Sequence, residues 1–176
     1  MNTMQAIQER YSCRNYEHKA VEQEKVEQLM KAVYATPIAM KRYEDLHVTV
    51  ITKEDFLKAW DEATAKMYNQ LGEHPLYGVP LVVLLSGRTG EEIPSSTPYL
   101  NGGVAVENLA LAATELGLGS VIFGGPVRAL HGQPALLEQL QLPEGFSPVV
   151  ALGIGYAAQK PAERETERHL VTNWIS

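Results

Sequence analysis

Between Asn101 and Leu116 the chain has almost no polar face. Val104, Ala105, Val106, Leu109, Ala110, Leu111, Ala112, Ala113 and Leu116 are interrupted only by Glu107, Asn108, Thr114 and Glu115. A helix that is apolar all round is buried all round. A chain of 176 residues has little room for such a helix inside its own core, so the segment predicts a subunit interface as well as a central element. At ~150 residues per domain the length implies one domain, and 45% apolar with 20% charged residues excludes a disordered or fibrous chain.

Charge and cysteine usage narrow the class further. Fifteen Lys and Arg against 21 Asp and Glu leave a formal charge of −6, which argues against a module built to neutralise nucleic-acid phosphates. The single cysteine, Cys13, excludes an internal disulfide framework and fits a reducing compartment. The longest apolar run, Val79 to Leu85, falls far short of the ~20 residues of a membrane span. The first residues are polar and acidic where a signal peptide is apolar. These features predict a cytoplasmic protein with neither nucleic-acid nor membrane partners.

Around the central helix, periodicity places the other elements. Val26, Leu29, Met30, Val33 and Tyr34 make a helix of Val21 to Tyr34 that ends before Pro37. Leu46 to Thr52 alternates and is rich in β-branched residues, so it reads as a strand. A second amphipathic helix runs from Glu54 to about Leu71 and stops at Gly72. Val79 to Ser86 is a continuously apolar strand, buried on both faces. Gly87 to Pro98 reads as a loop. Gly117 to Phe123 turns into a strand, Pro134 to Leu140 is a short helix, and Phe146 to Gly155 is a last buried strand. Helices and strands alternate, giving an α/β or α+β chain. The end, Ala157 to Ser176, is densely charged and then apolar at Val171, Trp174 and Ile175, as expected of an arm that docks on something.

Most familiar motifs fail. Gly117 to Ile122 follows a helix and precedes a strand, the reverse of a dinucleotide-binding turn. Gly153 to Ala158 has the G-x-G-x-x-A spelling, but Pro161 and the short remaining chain leave no space for the rest of that unit. There is no nucleophile elbow and no P-loop. The five histidines are scattered without metal-ligand spacing and read as surface or capping residues. Cys13 reads as a small buried residue.

What remains is Arg10-Tyr11-Ser12-Cys13-Arg14. In an extended segment Arg10, Ser12 and Arg14 share one face. Two guanidiniums and a hydroxyl together suit a phosphate; an exposed arginine pair with surface acids is the equally open alternative. Micromolar affinity needs ~8 kcal/mol, more than a few charge-assisted bonds of ~1.5–3 kcal/mol each leave after the entropy of association. A flat aromatic group on the phosphate would supply the rest by burial. Gly124-Gly125, after the strand ending at Phe123, allows bare backbone to approach such a ring.

Taken in order, several segments resemble the FMN-dependent nitroreductase family. They are Glu9 to Tyr16 (ERYSCRNY), Ala35 to Met40, Gly78-Val79-Pro80, Glu107-Asn108-Leu109, Gly117 to Ser120 and Leu152 to Tyr156. The resemblance implies an α+β fold of three-layer α/β/α type, with a mixed sheet flanked by helices. It implies a homodimer formed through the central helix, with a single FMN-binding domain over 1–156 and a C-terminal arm, 157–176, docking on the dimer. Arg10, Tyr11, Ser12 and Arg14 would hold the phosphate and ribityl chain, with further charge from Lys160 and Arg164. Pro37, Ile38, Ala39 and Met40 would contact the flavin ring from the second subunit, and Phe123, Gly124 and Gly125 would line its other edge. NADH or NADPH would donate a hydride, and a nitroaromatic, quinone or similar small electron-poor acceptor would take it.

The sequence also departs from that pattern. Lys41 stands where an amide is usual, Tyr43-Glu44-Asp45 replaces Gln-Pro-Trp, and Gly124 takes the place of an acid found in some members. Lys41 is the candidate catalytic residue, a cation able to polarise an acceptor or stabilise reduced flavin. Two other readings stay open: an FMN-binding storage or sensor protein with little turnover, and a flavin enzyme with a narrower reaction such as dehalogenation.

Overall fold

The computed structural model describes residues 1–90, 93–159 and 170–175. Helix α1 (Thr3–Glu9) opens on a reciprocal cap in which the Asn2 side chain accepts from the Gln5 amide while the Gln5 side chain accepts from that of Asn2. Two of the four amides such a helix start leaves free are thereby satisfied. Next come α2 (Gln23–Tyr34), β1 (Leu46–Ile51), α3 (Glu54–Met67), β2 (Leu81–Arg88) and α4 (Thr97–Glu115). The chain continues through β3 (Gly119–Phe123), α5 (Gly125–His131), α6 (Pro134–Gln139) and β4 (Phe146–Gly155). The strands form one sheet in the order β1-β2-β4-β3.

Every pairing between these strands is antiparallel; the parallel component is the isolated bridge between Ser12 and Ser120. The expected α+β class with helices on both sides of the sheet is observed. Side chains of β2 alternate between the two faces, as period-two geometry requires. Val82 and Leu84 enter a cluster with Phe56, Trp60, Phe123 and Leu130, while Leu81, Val83 and Leu85 enter one with Leu29, Ala105 and Leu109. The first layer is α3, α5 and α6; the second is α2 and α4.

Several boundaries differ from the sequence expectation, three of them by a residue or more for a clear local reason. Strand β2 runs on to Arg88, opposite Phe146 on β4, because the Arg88 guanidinium lies over the Phe146 ring and also bonds buried Asp45. Helix α4 starts at Thr97 with a proline in its first turn, where the missing N–H costs nothing. Helix α3 stops at Met67 because Asn69 turns into the left-handed region with φ +55°. Helices α1 and α5 were not anticipated: α1 lacks an apolar stripe, and Gly124-Gly125-Pro126 reads as a turn although its proline opens a helix.

Helix α4 is not buried all round within one chain. Asn101, Ala105, Leu109, Ala110 and Ala113 pack inward, while Tyr99 and Leu100 remain 61% and 63% exposed. A groove of about 440 Å³ runs along that outer side, past Gly103, Val104 and Glu107.

Candidate functional site

After α1 the chain becomes extended and lies along the edge of the sheet. The Cys13 amide donates to the Ser120 carbonyl at 2.8 Å, and that of Glu17 to Tyr156 at 2.8 Å. The expected alternation results: Cys13 is buried at 3% exposure, while Ser12 and Arg14 on either side are exposed. Cys13 presses on Gly119, where an added Cβ would come within 2.8 Å of both Cys13 side-chain atoms. Its reading as a small packing residue holds. Arg10 is half-buried, with Nε 3.8 Å from Glu107 Oε1 on α4, a distance at which an ion pair contributes little.

Tyr11 and Phe123 turn their rings the other way. Tyr11 packs against the α3-side cluster. Phe123 is buried, stacked on Tyr77 with centroids 6.4 Å apart and edge-on to Trp60 at 6.5 Å. Gly124 is exposed, and an added Cβ there would meet nothing within 4 Å. Gly125 is covered by the Tyr68 hydroxyl so closely that a side chain there would displace the tyrosine ring. Trp60 Nε1 donates to the Pro126 carbonyl at 2.7 Å and fixes the start of α5 against α3.

The segment from Thr36 to Lys41 is tied to α4 by two amides. Asn108 Nδ2 donates to Thr36 Oγ1 at 3.2 Å, and Asn101 Oδ1 accepts from the Ala39 amide at 3.1 Å. Beyond them Met40 and Lys41 both have positive φ, +55° and +58°, an arrangement that non-glycine residues adopt only when their surroundings impose it. Pro37, Met40 and Lys41 are exposed. Among the described residues no hydrogen bond or ion pair joins this segment to Arg10–Arg14, although Asn108, which holds Thr36, directly follows Glu107, which meets Arg10. Lys160 and Arg164 lie outside the described residues.

Sequence reasoning missed Tyr68, Trp60 and Asn101. Tyr68 is placed by the end of a helix whose C-terminus propensity overestimates. Trp60 reads as ordinary core. Asn101 carried one signal, an amide at the start of an apolar run. A larger cleft, about 1020 Å³, includes Arg14 in its lining, and two pairs of its charged residues meet one another. His74 Nδ1 lies 2.8 Å from Asp61 Oδ2 while Asp61 Oδ1 accepts from the Leu76 amide at 2.7 Å, and Lys58 meets Glu54 at 2.6 Å. Among the described residues no three His, Cys, Asp or Glu side chains gather as a metal site, and no described helix is long and apolar enough to cross a membrane.

Burial, and next its hydrogen bond with Cys13, pushes the Tyr11 phenol up to about 12; burial raises Tyr16 as well. A phenol that ionises near 10 in the unfolded chain and higher in the folded one contributes stability in full below pH 10, and that contribution is lost as pH rises toward 12. Melting temperature is therefore expected to fall steeply from pH 10 upward. Tyr11→Phe, followed by thermal melts between pH 8 and pH 11.5, should flatten that fall.

The Nitroreductase family model matches residues 7–156. The chain belongs to the nitroreductase family. This nitroreductase-family chain is 26% identical over 181 residues to the Bacillus subtilis protein named FMN reductase (NAD(P)H), covering 92% of this chain and 68% of that one. A nitroreductase with bound FMN from Desulfitobacterium hafniense superposes with a TM-score of 0.84 at 23% identity, covering 99% of this chain and 100% of that one. Another from Bacteroides fragilis, also with bound FMN, gives 0.84 at 24% identity over 100% and 99% of the two chains. At these identities the two structures establish the fold, and the family resemblance drawn from the sequence motifs is confirmed by the family match.

Proposed function

We propose that this nitroreductase-family chain is an FMN-dependent oxidoreductase, moving a hydride from NADH or NADPH to a nitroaromatic, quinone or similar electron-poor acceptor. The observation that carries the reading is the pairing of Ser12 with Ser120. It sets exposed Ser12 and Arg14 beside β3, whose end adjoins open Gly124, with half-buried Arg10 just upstream. The donor set suits a doubly charged phosphate, and the bare backbone at Gly124 suits a planar ring. The name of the Bacillus subtilis relative and the FMN in both neighbouring structures support the same reading.

When bound, FMN supplies the redox chemistry, taking a hydride from reduced nicotinamide and passing reducing equivalents to the acceptor. The chain's own residues do the holding. Arg10 and Arg14 neutralise the phosphate with charge-assisted hydrogen bonds, Ser12 donates its hydroxyl, and Lys160 and Arg164 add positive charge. Backbone at Tyr11 and at Phe123, Gly124 and Gly125 borders the ribityl chain and the ring. Lys41 presents a cation to the acceptor side.

The reading includes a homodimer. Met4 and Ile7 of α1, Tyr99 and Leu100 of α4, and Leu170, Val171, Trp174 and Ile175 near the C-terminus are all exposed in the single chain, more large apolar surface than a lone subunit usually leaves in water. A second copy covering α4 would bring its Pro37–Met40 segment to the ring, and the arm from 157 would dock across the pair.

The purified protein is expected to be yellow and to bleach when NADH or NADPH is added without oxygen. A yellow protein that does not bleach would instead fit a flavin store or sensor. A colourless protein that FMN cannot reconstitute would overturn the reading.

A further inference from the structure

We propose that Asn101 is a positioning residue, fixing the Ala39–Lys41 turn through the Ala39 amide so that Met40 and Lys41 face the bound flavin and acceptor. This inference rests on the flavin reading above.

Asn101 is 4% exposed in the most apolar helix of the chain, where an amide weakens helix formation and costs desolvation unless it is bonded. The bond it makes is to the turn: its Oδ1 accepts from the Ala39 amide at 3.1 Å. The turn needs such a hold, since Met40 and Lys41 are consecutive non-glycine residues at positive φ. Immediately downstream, Arg42 Nε meets buried Asp45 at 2.7 Å and Arg88 Nε meets the same carboxylate at 3.0 Å. The two strained residues thus sit between an anchor on α4 and an anchor on the sheet. Removing the α4 anchor frees them to relax toward ordinary backbone angles, which moves the Lys41 ammonium and the Met40 side chain. The phosphate strip at Arg10–Arg14 has no bond to this turn and keeps its geometry.

The test compares reconstituted Asn101→Leu, Asn101→Asp and Ala39→Pro proteins with the parent. Ala39→Pro removes the donor N–H from the other side. Ile38 is already extended, at φ −108° and ψ 138°, as a residue before proline requires, and proline suits the first position of a helical turn.

Asn101→Leu and Ala39→Pro are expected to retain FMN with less than a tenfold change in Kd. Both should alter the visible circular dichroism of the flavin and raise the KM for a quinone acceptor at least tenfold. Asn101→Asp, which keeps the accepting oxygen but buries a carboxyl group, should be less impaired than Asn101→Leu and should not accelerate exchange at Ala39 to the same extent. The two damaging changes should not add when combined, because they remove one bond. Hydrogen exchange at the Ala39 amide should accelerate at least tenfold in Asn101→Leu, with or without flavin.

Parental dichroism, KM and exchange in Asn101→Leu would overturn the proposal, as would an Asn101→Asp protein as impaired as Asn101→Leu. Should Asn101→Leu not fold, Ala39→Pro decides by the same dichroism and KM readouts. If the parent binds no FMN, the flavin reading fails, and unaccelerated exchange at Ala39 would separately overturn the hold on the turn.

Discussion

Reversing the charge of Arg10, as Arg10→Glu, is expected to weaken FMN binding by at least a hundredfold. Half-buried Arg10 caps the end of α1, two residues before exposed Ser12, which bridges Ser120. Losing charge-assisted bonds of ~1.5–3 kcal/mol each already corresponds to roughly tenfold to hundredfold in affinity, and a carboxylate facing a phosphate adds repulsion. Glu107 lies 3.8 Å away, so the variant also places two acids side by side. Glu107→Gln, which removes only this loose pairing, should change affinity less than threefold. Quenching of FMN fluorescence on titration, at low and at moderate salt, measures both, and far-ultraviolet circular dichroism checks that the fold persists. Unchanged FMN affinity in Arg10→Glu would dismiss the phosphate role of the N-terminal strip.

The second large effect concerns the scaffold under that strip. Trp60→Ala should destabilise the protein by about 3–5 kcal/mol, the usual cost of emptying a large aromatic site, against a total of ~5–15 kcal/mol for a domain. Trp60 is fully buried, packs edge-on against Phe56 and Phe123, and donates to Pro126 at 2.7 Å. Truncation leaves a cavity and also removes the donor that ties the partly buried Pro126 carbonyl to α3. Because Pro126 follows Gly124-Gly125, FMN affinity should drop together with stability. Urea midpoints measure the first effect and FMN titration the second. Trp60→Phe, which keeps most of the volume but not the N–H, should fall between parent and Ala. A Trp60→Ala midpoint equal to the parent's would mean that this contact does not hold the α5 end in place.

The two predictions differ in how visible their basis was beforehand. The exposure of Ser12 and Arg14 on either side of buried Cys13 was legible because alternation in an extended segment is a local property, set by the backbone and independent of what lies across from it. The same holds for β2: an unbroken apolar run predicts a strand buried on both faces, and Val82 and Leu84 indeed enter one core cluster while Leu81, Val83 and Leu85 enter the other. Trp60 could be recognised as core, but not as the donor that fixes Pro126, since the two are 66 residues apart. Tyr11 and Phe123 were assigned to the site through the resemblance; that both rings pack on the α3-side cluster is visible only in the folded chain.

From the sequence alone came the family resemblance and with it the α+β class, and the run of elements from α2 to β4 apart from α5, because periodicity and turn chemistry act over a few residues. Only the tertiary structure decided that Asn101 holds Ala39, that Tyr68 covers Gly125, and that Arg88 extends β2 by lying over Phe146 while bonding Asp45. Each of these depends on where distant segments meet. Local spacing carries no record of such meetings, which are selected by the joint burial of both faces of the sheet.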